Sequence, residues 1–167
     1  MRFKSIIAAA CLAAAYAAAD AATTGAASAI EVKQAWIRWL PGSAPAGGYL
    51  TLINGSDQPI SLTGAASPDY GSVGLHRSVM RDGVSTMAPV DRITVAAHST
   101  LEFASQGYHL MLKAPKIALN PGDHVSITLT FDGGSQINVP FEIRRPDGSA
   151  AKPSLPTDSD ANAQALR

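Results

Sequence analysis

The strongest constraint in this 167-residue chain is a strict two-residue rhythm in its C-terminal third. Val125, Ile127, Leu129 and Phe131 alternate with polar neighbours, "DGG" at 132–134 supplies a turn, and Ile137, Val139, Phe141 and Ile143 alternate again. Successive side chains of a strand point to opposite faces, so the pattern predicts a hairpin with one buried and one wet face. Other segments agree with it. "IEVKQAWIRW" (30–39) and "GGYLTLIN" (47–54) are rich in β-branched and aromatic residues and flank the Pro/Gly connection "LPGSAPAG". "QPISLTGAAS" (58–67) follows the turn signal "NGSD", and shorter strand candidates lie at 72–80, 84–87, 90–95, 100–104 and 108–112. Nothing after the first 22 residues has a sustained helical period. The expectation is an all-β, antiparallel Greek-key sandwich or barrel, without internal repeat or second domain.

The two ends read differently. "MRFK" is a basic start, and the alanine-dominated apolar run after it offers many small-x-small cleavage options. That is a secretory signal peptide of about 22 residues rather than a membrane span, so the mature protein is expected to be exported. Lipid attachment at Cys11 would leave only Ile6–Ala10 as apolar region, shorter than the usual run of roughly 7–15 residues. With ordinary cleavage the mature chain keeps no cysteine, which excludes a disulfide, a cysteine nucleophile and a blue-copper electron-transfer site. Residues 146–167 are polar, hold Pro and Ser and lack apolar periodicity, so they read as a disordered tail. The domain proper spans 30–145, enough for one core. With 13 basic and 13 acidic residues and no run of like charge, a nucleic-acid partner or an anionic membrane surface is not expected.

Histidine and methionine carry the chemistry. All three methionines after the initiator lie in "HRSVMRDGVSTM" (76–87) and "GYHLML" (107–112), each beside a histidine. In the second segment Tyr108, Leu110 and Leu112 share the core parity, which puts His109 and Met111 together on the opposite face, roughly 7 Å apart at their bases. In the first, "RDG" (81–83) can fold the segment back and bring Met87 towards His76, while Met80 either packs near the turn or stands as a spare sulfur ligand. His76, Met87, His109 and Met111 thus form a candidate set of two imidazoles and two thioethers. Thioether sulfur is soft and uncharged, so such a set favours Cu(I) over Mg or Ca, and structural zinc prefers thiolate or histidine.

The spacing His-x10-Met-x21-His-x-Met, met by these four residues, resembles the ligand pattern of the periplasmic CuA chaperone family, PCu(A)C. "AWIRWLPGSAPAGGYLTLIN" is similar to that family's opening strands, "DGVSTMAPV" to its first methionine segment and "GYHLML" to its second ligand segment. The resemblance covers roughly residues 30–145. It implies a cupredoxin-like barrel that binds Cu(I) and supplies copper towards the CuA centre of cytochrome c oxidase, with Sco-type proteins and the CuA subunit as partners. It leaves His98 and His124 as surface residues. The 146–167 segment holds neither His nor Met for a second copper site, and Arg77 stands where some members carry methionine.

No acid–base pair, nucleophile–base pair or phosphate loop accompanies the four residues, so the sequence points to a carrier rather than an enzyme. Copper buffering or resistance would use the same ligands. A secreted β-sandwich interaction module with incidental His and Met is the reading from a different class. Trp36 and Trp39 are expected as core and rim aromatics.

Overall fold

The computed structural model describes residues 29–42 and 44–150. The expected signal peptide (1–22) and residues 151–167 of the expected tail lie outside the described residues. Ten strands follow in chain order: β1 (Ile30–Arg38), β2 (Ala46–Asn54), β3 (Ile60–Ala66), β4 (Tyr70–Arg81), β5 (Val84–Pro89), β6 (Ile93–Val95), β7 (Ser99–Glu102), β8 (Tyr108–Pro115), β9 (His124–Phe131) and β10 (Gln136–Arg144). The described residues contain no α-helix, and a 3-10 turn at Asp132–Gly134 joins β9 to β10. No helix among them is long and apolar enough to cross a membrane.

Pairing runs β5-β4-β8-β2-β1-β10-β9-β3-β6, and β3 also meets β4 through Ala65 and Val73. That last contact closes seven strands into an all-β, cupredoxin-like barrel, while β5 and β6 extend beyond the ring and β7 pairs with the far half of β2. Closure removes most open sheet edges, and β5, bonded among the described residues only to β4, keeps one.

The alternation of the C-terminal hairpin becomes its register. Val125 opposes Phe141, Ile127 opposes Val139 and Leu129 opposes Ile137. Leu129, Ile127 and Phe141 have no exposed surface. The turn uses Gly133 and Gly134 at φ +76° and +81°, a region that residues with a Cβ enter at a cost. The β4–β5 hairpin turns on Asp82 and Gly83, both at positive φ, the two-residue geometry that suits the twist of the flanking strands.

One pairing departs from the antiparallel expectation: β1 and β10 run parallel, Trp36 beside Glu142 and Arg38 beside Arg144. A parallel pair needs no hairpin, and these first and last strands are joined through the whole barrel. Pro140, which has no N–H to give, precedes this contact and stays on the β9 side of the register.

The core gathers Ile37, Leu50, Leu52, Leu62, Leu75, Phe103, Leu110, Leu112 and the inward residues of β9 and β10. Replacing Phe141 by Ala removes a ring from the middle of this packing and should cost about 3–5 kcal/mol. Gln136→Ala on the exposed side of the same strand should stay within about 0.5 kcal/mol. Urea unfolding of the two variants at neutral pH measures the difference.

Candidate functional site

The core ladder between β4 and β8 fixes where the chemistry faces. Leu75 opposes Leu110 and Val73 opposes Leu112, all turned inward or packed on the core. The alternate residues therefore point outward: His76 stands directly opposite His109, and Gly74 opposite Met111. On the β5 side His76 opposes Pro89 and Ser78 opposes Met87, so Met87 is on the same face, diagonal to His76. All four sequence-derived residues thus project from one face of three adjacent strands.

Their surroundings differ. His109 is 3% exposed although it lies off the core, because it lines a cleft of ≈ 130 Å³ with Arg38, Leu40, Pro45, Tyr49, Met87 and Met111. The period-two pattern places it on the outward face, and the cover comes from segments distant in sequence. Met87, on the edge hairpin, is 59% exposed. Met80 is exposed beside the turn, paired with Ser85.

The two imidazole rings have centroids 6.0 Å apart, tilted by 37°. His109 Nδ1 lies 3.2 Å from the Gly107 carbonyl oxygen, which can only accept, so Nδ1 carries the proton. Its Nε2 is then a free lone pair, buried and without a hydrogen-bond partner. His76 Nδ1 is likewise buried and unpartnered. One ion bonded at about 2 Å to a nitrogen of each ring is within the span of that centroid separation. Burial, the facing His109 and the Lys113 ammonium hold the His76 pKa below its ordinary value of 6.5.

Glycine makes the space. A Cβ on Gly74 would stand 3.3 Å from His76 Nε2 and 3.4 Å from its Cδ2, so the ring leans back over Gly74 towards Met111. Gly47 flanks Met111 from the other side, on β2, and a Cβ there would meet the Tyr49 hydroxyl at 2.6 Å. The other two histidines are placed elsewhere. His98, in a turn at φ +51°, is exposed with Nε2 2.8 Å from Asp57, and His124 is exposed at the start of β9. Trp36 stacks on Tyr49 with ring centroids 4.7 Å apart, and the half-buried Trp39 donates Nε1–H to the Leu119 carbonyl at 2.8 Å. No group of three or more His, Cys, Asp or Glu side chains among the described residues is arranged to hold a metal. Sequence reasoning missed Arg38, Tyr49 and the two glycines, whose place beside the histidines depends on cross-strand register.

A barrel with this strand order and an outward His/Met face belongs to the cupredoxin-like class of PCuAC domains. The apo PCuAC domain from PmoF2 is 27% identical with a TM-score of 0.59, covering 74% of this chain and 95% of that one. The solution structure of CuI-DR1885 from Deinococcus radiodurans is 34% identical with a TM-score of 0.55, over 74% and 83%. The apo form of DR1885 is 31% identical with a TM-score of 0.56, over 87% and 97%.

The model of the LpqE-like family, described as "Putative lipoprotein LpqE-like", matches residues 30–143, and the chain belongs to that family. "Putative lipoprotein Lxx21020" of Leifsonia xyli subsp. xyli (strain CTCB07) is 30% identical over 116 residues, 69% of each chain. "Uncharacterized protein RP573" of Rickettsia prowazekii (strain Madrid E) is 33% identical over 94 residues, 54% of this chain. The chain spans about half the length of that Rickettsia protein, 52%.

Two outcomes follow from the site's geometry. Because His76 is harder to protonate folded than unfolded, the metal-free protein has its full stability above pH 6.5 and loses some as the pH falls below it. Chemical denaturation across pH 7.5 to 5 should show that slope, and His76→Gln should flatten it. Gly74→Ala should displace the His76 ring and leave the barrel folded, seen as a selective shift of the His76 ring resonances in NMR spectra.

Proposed function

We propose that this chain is an exported copper chaperone that carries one Cu(I) on His76, Met87, His109 and Met111 and passes it towards the CuA centre of cytochrome c oxidase. Sco-type proteins and the CuA subunit are its partners. The observation that carries this reading is the pair of buried, unpartnered nitrogens, His76 Nδ1 and His109 Nε2, on directly opposed residues. Leaving a buried polar atom unmade costs about 1–3 kcal/mol, and a bound ion would satisfy both at once.

The donor chemistry supports Cu(I). Met87 and Met111 line the same cleft as His109, and thioethers with imidazoles suit a soft monovalent ion. Four neutral donors leave a single positive charge, which a half-buried position tolerates better than two. The relative DR1885, solved with CuI, gives independent support.

Function as a carrier follows from where each donor stands. His76, His109 and Met111 rise from strands bonded on both sides, whereas Met87 sits exposed on a strand with one neighbour. An acceptor's sulfur can therefore approach on the Met87 side and take the ion as that thioether leaves. This needs no general acid or nucleophile, and we assign no catalytic residue. The basic, alanine-rich leader and the lipoprotein descriptions of the family and of the Leifsonia relative support export to the periplasm. The working domain is then 30–145, between a leader ending near 22 and the tail from 146.

An anaerobic Cu(I) titration against a chromophoric competing chelator should give one equivalent bound. Met87→Leu/Met111→Leu and His76→Gln/His109→Gln should each weaken it by at least about tenfold. Unchanged affinity in both double variants would place the ion elsewhere.

A further inference from the structure

The outward face extends beyond the four candidate ligands. Trp36 opposes Tyr49 and Ile37 opposes Gly48, so Arg38 falls beside Gly47. Gly47 in turn opposes Met111, and Met111 opposes Gly74. Arg38 and Met111 therefore share one rung of the barrel wall, two strand spacings or roughly 10 Å apart, with only a glycine between them. The Tyr49 hydroxyl lies over that glycine.

Arg38 has no matching charge there. Its Nε is buried without a hydrogen-bond partner, and it forms no ion pair among the described residues. Its β10 neighbour Arg144 differs: it takes Glu142 at 2.8 Å, which occupies that carboxylate. The Arg38 guanidinium carbon stands 5.5 Å from the Tyr49 ring centroid, which steadies its plane. Arg38, Tyr49 and Ser105 line both the cleft that holds His109 and Met111 and a neighbouring one of ≈ 190 Å³, where Glu102 lies exposed. A buried guanidinium N–H left unmade is costly, and the partner its planar fork matches best is a carboxylate.

The geometry points to a carboxylate-binding subsite at Arg38 and Tyr49, over Gly47 and beside Met111. The guanidinium N–H groups and the tyrosine hydroxyl donate to the carboxylate oxygens. The ligand is a small organic acid. One that also carries a soft donor can hold Arg38 with its carboxylate and reach an ion on Met111 and His109 with its other end. This second part rests on the copper reading, and the first does not.

The copper-free full-length protein provides the first test. Titration with acetate, followed through the 15N-labelled arginine Nε–H signals, should move Arg38 saturably and leave the exposed Arg77 and Arg81 unmoved. Arg38→Lys and Tyr49→Phe, both close in shape, should each lower acetate affinity by several-fold, and Glu102→Gln, which removes a carboxylate lining the neighbouring cleft, should not lower it. Absence of a saturable shift, or equal shifts at all three arginines, would overturn the subsite. In the Cu(I)-loaded protein 3-mercaptopropionate should bind roughly tenfold more tightly than 2-mercaptoethanol, and Arg38→Met should remove that preference. Equal binding of the two thiols by the unaltered loaded protein would overturn the bridging role. Failure to load Cu(I) at all would count against the copper reading and leave the acetate result standing.

Discussion

Everything at the candidate site depends on the register of β4 against β8. The pairing of Leu75 with Leu110 buries two side chains in the core, and the same ladder sets His76 against His109 on the other face. A slip by one residue would turn the leucines out and the histidines in, so the packing energy of the core enforces the position of the outward groups. The barrel needs no separate device to hold the imidazoles together.

Much of this is legible from the chain alone, for a definite reason. Where one face of a strand is buried, composition repeats every two residues, and Val125–Phe131, Ile137–Ile143 and Tyr108–Leu112 carry that repeat openly. The side of the sheet on which His109 and Met111 emerge follows from it. What covers that side does not follow, and His109 is almost wholly buried in a cleft that residues of β1, β2, the 104–107 turn and the two methionines also line. Nor does periodicity distinguish a parallel partner from an antiparallel one, so the β1–β10 pairing has no local signature. Arg38, Tyr49, Gly47 and Gly74 were hidden for a related cause, since each owes its place to a neighbour on another strand. The doublet "GGYL" does carry a hint, because a glycine of outward parity in a strand leaves an opening in the wall.

The outward face is also an arrangement of charge. An aromatic pair lies between two arginines along it, Arg144 over Trp36, Trp36 against Tyr49, Arg38 over Tyr49. Among the described residues only the Arg144 end is neutralised, by Glu142. The end nearest the histidines stays positive, and this bias acts on whatever enters the cleft: it favours anions and complexes with an anionic part over bare cations.

The β4–β5 hairpin gives the site a mechanical asymmetry. His76, His109 and Met111 stand on a closed wall whose strands are tied on both flanks, while Met87 rides on a ribbon tied on one. Three groups thus share one frame, and among the described residues the fourth is tied to it through β4 alone. The place of Met87 relative to the other three donors is therefore set by the β4–β5 hydrogen bonds and the Asp82–Gly83 turn, separately from the chemistry of the donors. Residues of that hairpin far from the cleft therefore bear on where the thioether stands without changing the donor set.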